Sequence, residues 1–206
     1  MELKTQRKKG RIALGVVFLM VLGCVMLHVF RVTGGTAEIT INGVGYRMGT
    51  ISVRDFMGED YSFAAMSTEG NSVYMYNYTD AELEAKTYYN MAVPFRPKDG
   101  HGAPISCWLY NPAAKPVEIR EGRICSISCE VPALREYDVA VAVAGLELTD
   151  QNKEVIKTYM DEALKGYRFS ENEEANAISY TRDKVSYTFR FDEEDTLQNA
   201  IARLEV

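Results

Sequence analysis

The chain has 206 residues, 47% of them hydrophobic, with 23 Lys and Arg against 29 Asp and Glu and a formal charge of −6. Residues 1–31 hold six of the cations and one of the anions, so the remainder carries 17 against 28, or −11. That acidity argues against nucleic-acid binding and broad adhesion to anionic membranes, and favours a soluble, self-repelling surface.

Lys4, Arg7, Lys8, Lys9 and Arg11 precede an uncharged run from Ile12 to Phe30, which Arg31 closes. A helix over 12–30 would span roughly 28 Å, close to the hydrocarbon thickness and longer than the apolar core of a cleaved signal. The expectation is a retained signal anchor, with residues 1–11 as a cytoplasmic basic tail and the C-terminal region outside. The alternative is lipidation of Cys24, because "VLGC" (21–24) resembles a lipobox. The apolar run continues past it through Val25, Met26, Leu27, Val29 and Phe30, where a mature lipoprotein would turn polar. His28 would lie near the outer end of the span.

Residues 31–38, "RVTGGTAE", read as a linker. The outside region is expected to be α+β: mostly antiparallel sheet with one long and one short helix, in two modules over 39–135 and 136–206. "AEITIN" and "GVGYRM" read as a hairpin around Gly43 and Gly45. Ser52, with Asp55 three residues on, predicts a capped short helix that turns Phe56 and Met57 inward. "SVYMYNY" (72–78) alternates, with Tyr74, Tyr76 and Tyr78 on one face and Val73 and Met75 on the other. That row of tyrosines is a candidate partner-binding surface, with core or inter-module packing as the alternative.

"AKTYYNMAVPF" predicts a strand and "RPKDGHGAP" a loop. "ISCWLYN" and "EIREGRICSISCEV" predict two more strands, with a bulge or break at Gly122. The apolar run "YDVAVAVA" (137–144) reads as a central strand that Gly145 ends. Thr149 or Asp150 would cap the long helix, whose inward stripe is Val155, Ile156, Tyr159, Met160, Ala163 and Leu164, with Gly166 as its stop. Three strands follow, "AISYT", "KVSYTFRF" and "NAIARLEV", the first hairpin closing at Arg182 and Asp183.

"ITINGVGYRMGTISVRDFMGEDYSF" and "VAVAGLELTDQNKEVIKTYMDEALKGYRF" share one grammar: strand, glycine, polar link, helix, glycine, aromatic-x-Phe. This is read as an internal duplication that equates Gly58 with Gly166 and Phe63 with Phe169. The C-terminal part, on Gly145, Thr149, Glu154, Val155, Tyr180, Phe189, Phe191 and Asp192, resembles the β-lactamase-inhibitor-protein-like superfamily. It lacks that group's Gly-x-Pro after the helix, around Asp161 to Gly166. The resemblance implies a helix on a three-stranded sheet and a habit of protein binding in the cell envelope.

Chemistry is sparse. His101 lies six residues before Cys107, so a Cys-His enzyme is conceivable, though nothing nearby marks an orienting group or an oxyanion hole. Ile105, Cys107 and Leu109 should share one face, as should Cys125, Ile127 and Cys129, making the thiols core residues. Cys125 and Cys129, roughly 13 Å apart along one strand, cannot bridge each other, whereas a disulfide from Cys107 to Cys125 or Cys129 stays open. No zinc spacing occurs, and "DEEDT" (192–196) reads as an acidic turn rather than a calcium loop. Asn77 fits a glycosylation sequon, relevant only in a eukaryotic secretory pathway. No cofactor is expected. The expected function is a membrane-anchored extracytoplasmic binding or scaffolding protein of the cell envelope, non-enzymatic. The alternatives are a cysteine-dependent enzyme and an accessory or sensor subunit of a membrane complex.

Overall fold

The computed structural model describes residues 37–57, 61–63, 65–69, 72–76, 82–89, 92–97 and 103–206, with backbone only at 57, 61–63, 65–69, 72–76 and 97. The expected anchor over 12–30, Cys24, His28, Gly58, Tyr78 and His101 lie outside them. No helix among the described residues is long and apolar enough to cross a membrane. The described part is a mostly antiparallel β protein with few short helices.

The first hairpin is β1 (Glu38–Ile41) and β2 (Val44–Arg47). Asn42 and Gly43 make its reversal, both at positive φ (49° and 80°), the combination that matches strand twist in a two-residue turn. Gly45 sits in β2 instead. Helix α1 (Val53–Met57) starts with the expected capping box. Asp55 Oδ2 accepts from the Ser52 backbone N–H (3.0 Å) and hydroxyl (2.8 Å), while Ser52 Oγ accepts from the Asp55 N–H (3.1 Å). Two orphan helix donors are thereby satisfied, and such caps contribute about 1 kcal/mol. These bonds hold the Asp55 carboxyl below its ordinary value, so their stabilisation is present above that value and lost as pH falls through the lowered one.

There follow β3 (Tyr61–Phe63), β4 (Ala65–Glu69), β5 (Ser72–Tyr76), β6 (Glu82–Leu83), β7 (Val93–Pro97), β8 (Ile105–Tyr110) and β9 (Val117–Glu118). The strand expected over 85–95 begins only at Val93, because Lys86 turns at φ 57° and Tyr88 makes a single bridge to Tyr110. A 3₁₀ turn (Ile119–Glu121) leads through Gly122 into β10 (Arg123–Glu130). Gly122 is the expected break rather than a bulge, standing between the 3₁₀ turn and β10. A Cβ there would lie 2.9 Å from the Ile119 carbonyl oxygen, so its role is close backbone approach.

Helix α2 (Val131–Glu136) was not anticipated. Of the run expected as a central strand, only β11 (Val141–Val143) is extended; it turns at Ala144 and Gly145 (φ 50° and 84°) into β12 (Leu146–Glu147). Helix α3 (Lys153–Ala163) begins later than expected, capped by Asn152, whose Oδ1 accepts from the Glu154 N–H at 2.9 Å. Its buried face is narrower too. Ile156 and Met160 pack inward with Leu164 just beyond, whereas Val155 (56% exposed) and Tyr159 (41%) face solvent.

The chain ends in a meander of β13 (Arg168–Asn172), β14 (Ala177–Arg182), β15 (Val185–Phe191) and β16 (Leu197–Leu204). β13 was missed because all five of its residues are exposed, leaving no alternation to read. The β14–β15 turn is one residue later than expected, since Arg182 still pairs with Val185.

Two larger sheets, a four-stranded one in order β12-β11-β1-β2 and an eight-stranded one in order β13-β14-β15-β16-β10-β8-β7-β3, stand beside the two-stranded pairs β4-β5 and β6-β9. The expected boundary at 135/136 is crossed by both larger sheets, through β1–β11 and β10–β16 pairing, and residues 35–206 form one compact unit.

The pairing also repeats itself. At the centre β10 and β16 pair antiparallel, Ser126 with Arg203, Ser128 with Ile201 and Glu130 with Asn199. Ser52 bridges Arg123 just as Asn152 bridges Thr196, each N-cap beside the start of its half's last strand. Even the bulges coincide. One extra residue, Cys125, falls between Ile124 and Ser126 on β10, and one, Gln198, between Leu197 and Asn199 on β16. Phe63 pairs with Phe95 in one half as Phe169 pairs with Tyr180 in the other.

Candidate functional site

Cross-strand partners project to the same side of a sheet, so the registers sort the eight-stranded sheet into two faces. One face carries Phe95, Ile105, Cys129, Ala200, Phe189 and Ile178 in one row. The next row is Val93, Cys107, Ile127, Ala202, Tyr187 and Tyr180. All are buried. The contacts of α1, α3 and the smaller sheet fall on this inner face: Phe56 meets Phe95 at 4.6 Å, the Tyr180 hydroxyl donates to Asp161 Oδ1 at 2.7 Å, and the Tyr187 hydroxyl accepts from the Glu38 N–H at 3.3 Å. Edge strand β13 is held by its ladder, by Lys153 paired with Glu171 at 2.5 Å, and by the Phe169 ring 5.4 Å from that of Tyr180.

The outer face is of another composition. One row reads Ser106, Ser128, Ile201, Thr188, Ser179, Ser170, and the next Trp108, Ser126, Arg203, Ser186, Thr181, Arg168. The hydroxyls bond among themselves and to amides, with Ser179 and Thr188 at 2.9 Å and Asn199 Nδ2 donating to Ser128 Oγ at 2.9 Å. At the β8 end stand three aromatic rings. Trp108 is 37% exposed, Tyr88 is 49% exposed, and the Tyr88 and Tyr110 rings lie 4.9 Å apart. Tyr88 is fixed by Val206, whose carbonyl accepts from its hydroxyl at 3.2 Å and whose N–H donates to it at 3.3 Å.

The bulge re-aims Cys125. Ile124 and Ile127 both face the core, so Cys125 and Ser126 together turn outward, and the Cys125 thiol donates to the Trp108 carbonyl at 3.2 Å. This corrects the expectation that Cys125 shares a face with Ile127 and Cys129. It also separates Cys125 from Cys107 by the thickness of the sheet, and Cys107, Cys125 and Cys129 are all free thiols. Cys125, Ser126, Trp108, Tyr88, Ile201 and Arg203 line a shallow cavity of about 190 Å³.

Burial pushes every described thiol up: Cys125 to about 11, Cys129 to about 12, and Cys107 well above the ordinary thiol value. A nucleophilic cysteine needs the opposite shift. Among the described residues no group of three His, Cys, Asp or Glu could hold a metal ion. Tyr74 and Tyr76 lie on β5, which pairs with β4 in a separate two-stranded sheet. The chain matches no family model, no curated protein and no solved structure.

Proposed function

We propose that the chain is a single-pass, membrane-anchored binding or scaffolding protein of the cell envelope, with residues 12–30 as its anchor and its acidic region outside, and that it does no catalysis. The observation that supports this most is the aromatic group on the outer face. A wetted face is ordinary for an antiparallel sheet, but Trp108 and Tyr88 exposed among hydroxyls add nothing to solubility. Tryptophan and tyrosine give large contact area at little entropic cost, which is what a docking surface uses. The tyrosine row of Tyr74, Tyr76 and Tyr78 is a second proposed contact surface.

The same proposal takes the chain as a tandem duplicate, two modules of hairpin, helix and four-strand meander joined edge to edge. The coincident bulges and N-cap bridges support it, and it carries the likeness of the C-terminal module to β-lactamase-inhibitor-protein-like modules. Against the cysteine-enzyme alternative stands the core position of Cys107, with no solvent exposure and a raised pKa.

Two measurements test the proposal. Alkylation of the folded protein at neutral pH, followed by peptide mapping, should leave Cys107 unmodified until the chain is unfolded; fast labelling in the folded state would mark an activated thiolate and overturn the non-enzymatic reading. Intact mass of the protein from membranes should show residues 1–31 still attached. A mature chain beginning at an acylated Cys24 would replace the anchor with a lipid.

A further inference from the structure

We infer that the cavity between Trp108, Tyr88, Ile201 and Arg203 is a binding site for a carboxylate carried on a single ring with an apolar face. The inference rests on the reading of the outer face as a contact surface and specifies the chemistry one part of it recognises.

Arg203 supplies the charge. Arg47 pairs with Glu38 and Arg135 with Asp150, whereas no ion pair among the described residues involves Arg203, which leaves its guanidinium open to a ligand. Its cross-strand neighbours are Ser126 and Ser186, which donate or accept but carry no charge. A guanidinium presents its donors as a planar fork that fits a carboxylate with two parallel bonds. Cys125 does not compete for it, because that thiol keeps its proton at neutral pH and is bonded to the Trp108 carbonyl.

Ser126 is the second, independent mark. It is one of three buried polar residues in the described chain, 5% exposed, and it lines the cavity. Its hydroxyl makes no hydrogen bond to another described residue, whereas Ser52 is bonded to Asp55 and Asn111 to the backbone around it. That hydroxyl opens into the cavity beside the Arg203 position, free to donate to a carboxylate oxygen there.

The walls set the rest of the ligand. Trp108, Tyr88 and Ile201 offer apolar surface, and about 190 Å³ is well below the roughly 300–1,000 Å³ of drug-sized pockets. That is room for one ring and its acid group. Two kinds of molecule share this chemistry, an aromatic acid and an acidic sugar with one apolar face.

Trp108 is the chain's single tryptophan, so its fluorescence reports on this site alone. The full chain in detergent would be titrated with benzoate, glucuronate and, as a neutral control, benzamide. The expected result is a saturable emission change with at least one acid, none with benzamide, and a tenfold or greater loss of affinity in Arg203→Gln at unchanged melting temperature. Arg203→Lys, which keeps the charge but not the fork, should fall between. Saturation by benzoate alone identifies an aromatic acid; saturation by glucuronate identifies an acidic sugar. No saturable change with either acid, or equal binding by wild type and Arg203→Gln, overturns the inference. Neither result touches capture of an envelope partner by the rest of the face, so failure here is separable from failure of the wider proposal.

Discussion

Phe56→Ala should be the most damaging single truncation in the N-terminal half, costing about 3–5 kcal/mol of folding stability. Phe56 is buried between the sheets, its ring 5.1 Å from that of Tyr46 on β2 and 4.6 Å edge-on to Phe95 on β7. One side chain on a five-residue helix thus touches a strand of each sheet. So short a helix cannot hold itself together, so the void would not simply close around it. Against a total of about 5–15 kcal/mol this is a large fraction, and at about 2–4 °C per kcal/mol the melting temperature should fall by roughly 10 °C. Val155→Ala on the exposed face of α3 should change stability by no more than about 0.5 kcal/mol. A loss below about 1 kcal/mol for Phe56→Ala in denaturant melts would mean that α1 does not pack as described.

Asn111→Leu should cost about 3 kcal/mol or more, although it replaces a polar side chain with an apolar one of similar size. Asn111 is completely buried after the end of β8. Its Nδ2 donates to the carbonyls of Leu83 (2.9 Å), Glu84 (3.1 Å) and Lys115 (2.9 Å), and its Oδ1 accepts from the Ala113 N–H (2.8 Å). It therefore ties the end of β6 to the two turns beside it through backbone groups at Leu83, Glu84, Ala113 and Lys115. Leucine fills the volume but strands those groups, at about 1–3 kcal/mol for each left buried. Asn111→Asp should be no milder at neutral pH, because its oxygens would face three carbonyls with no donor to offer. Thermal melts of the two variants decide this, and a leucine variant as stable as the parent would contradict the network.

Much of this fold is legible in the sequence where local chemistry decides it. The first hairpin turns at Gly43, Gly145 ends its strand, Ser52 and Asp55 form the expected box, and β15 buries the alternating residues Val185, Tyr187, Phe189 and Phe191. What stays hidden is decided by distant partners. The run at 137–144 does give an interior strand, β11 between β12 and β1, but which sheet it joins and that only Val141–Val143 is extended are set by those partners and not by its apolar composition.

The bulge at Cys125 is equally silent. A one-residue slip exchanges the faces, and nothing in "RICSISC" says where it falls. The candidate site left one trace. Trp108 is out of phase with Ile105, Cys107 and Leu109, so a tryptophan on a strand's polar side was readable. Its meeting with Tyr88, Ser126 and Arg203 was not, since it needs three strands and an irregular segment brought into register.

The central claim, that the outer face of the eight-stranded sheet is where this protein binds, is tested most directly by capture from envelope membranes with the full chain as bait. Thr188→Arg places a long cation at the middle of the hydroxyl row, between Ser179 and Ile201, without touching the core. Glu147→Arg, at the far edge of the smaller sheet, is its control and adds two units of positive charge where Thr188→Arg adds one. The account predicts that a protein enriched by the parent is lost with Thr188→Arg and retained with Glu147→Arg, both variants melting as the parent does. Equal capture by all three would contradict it.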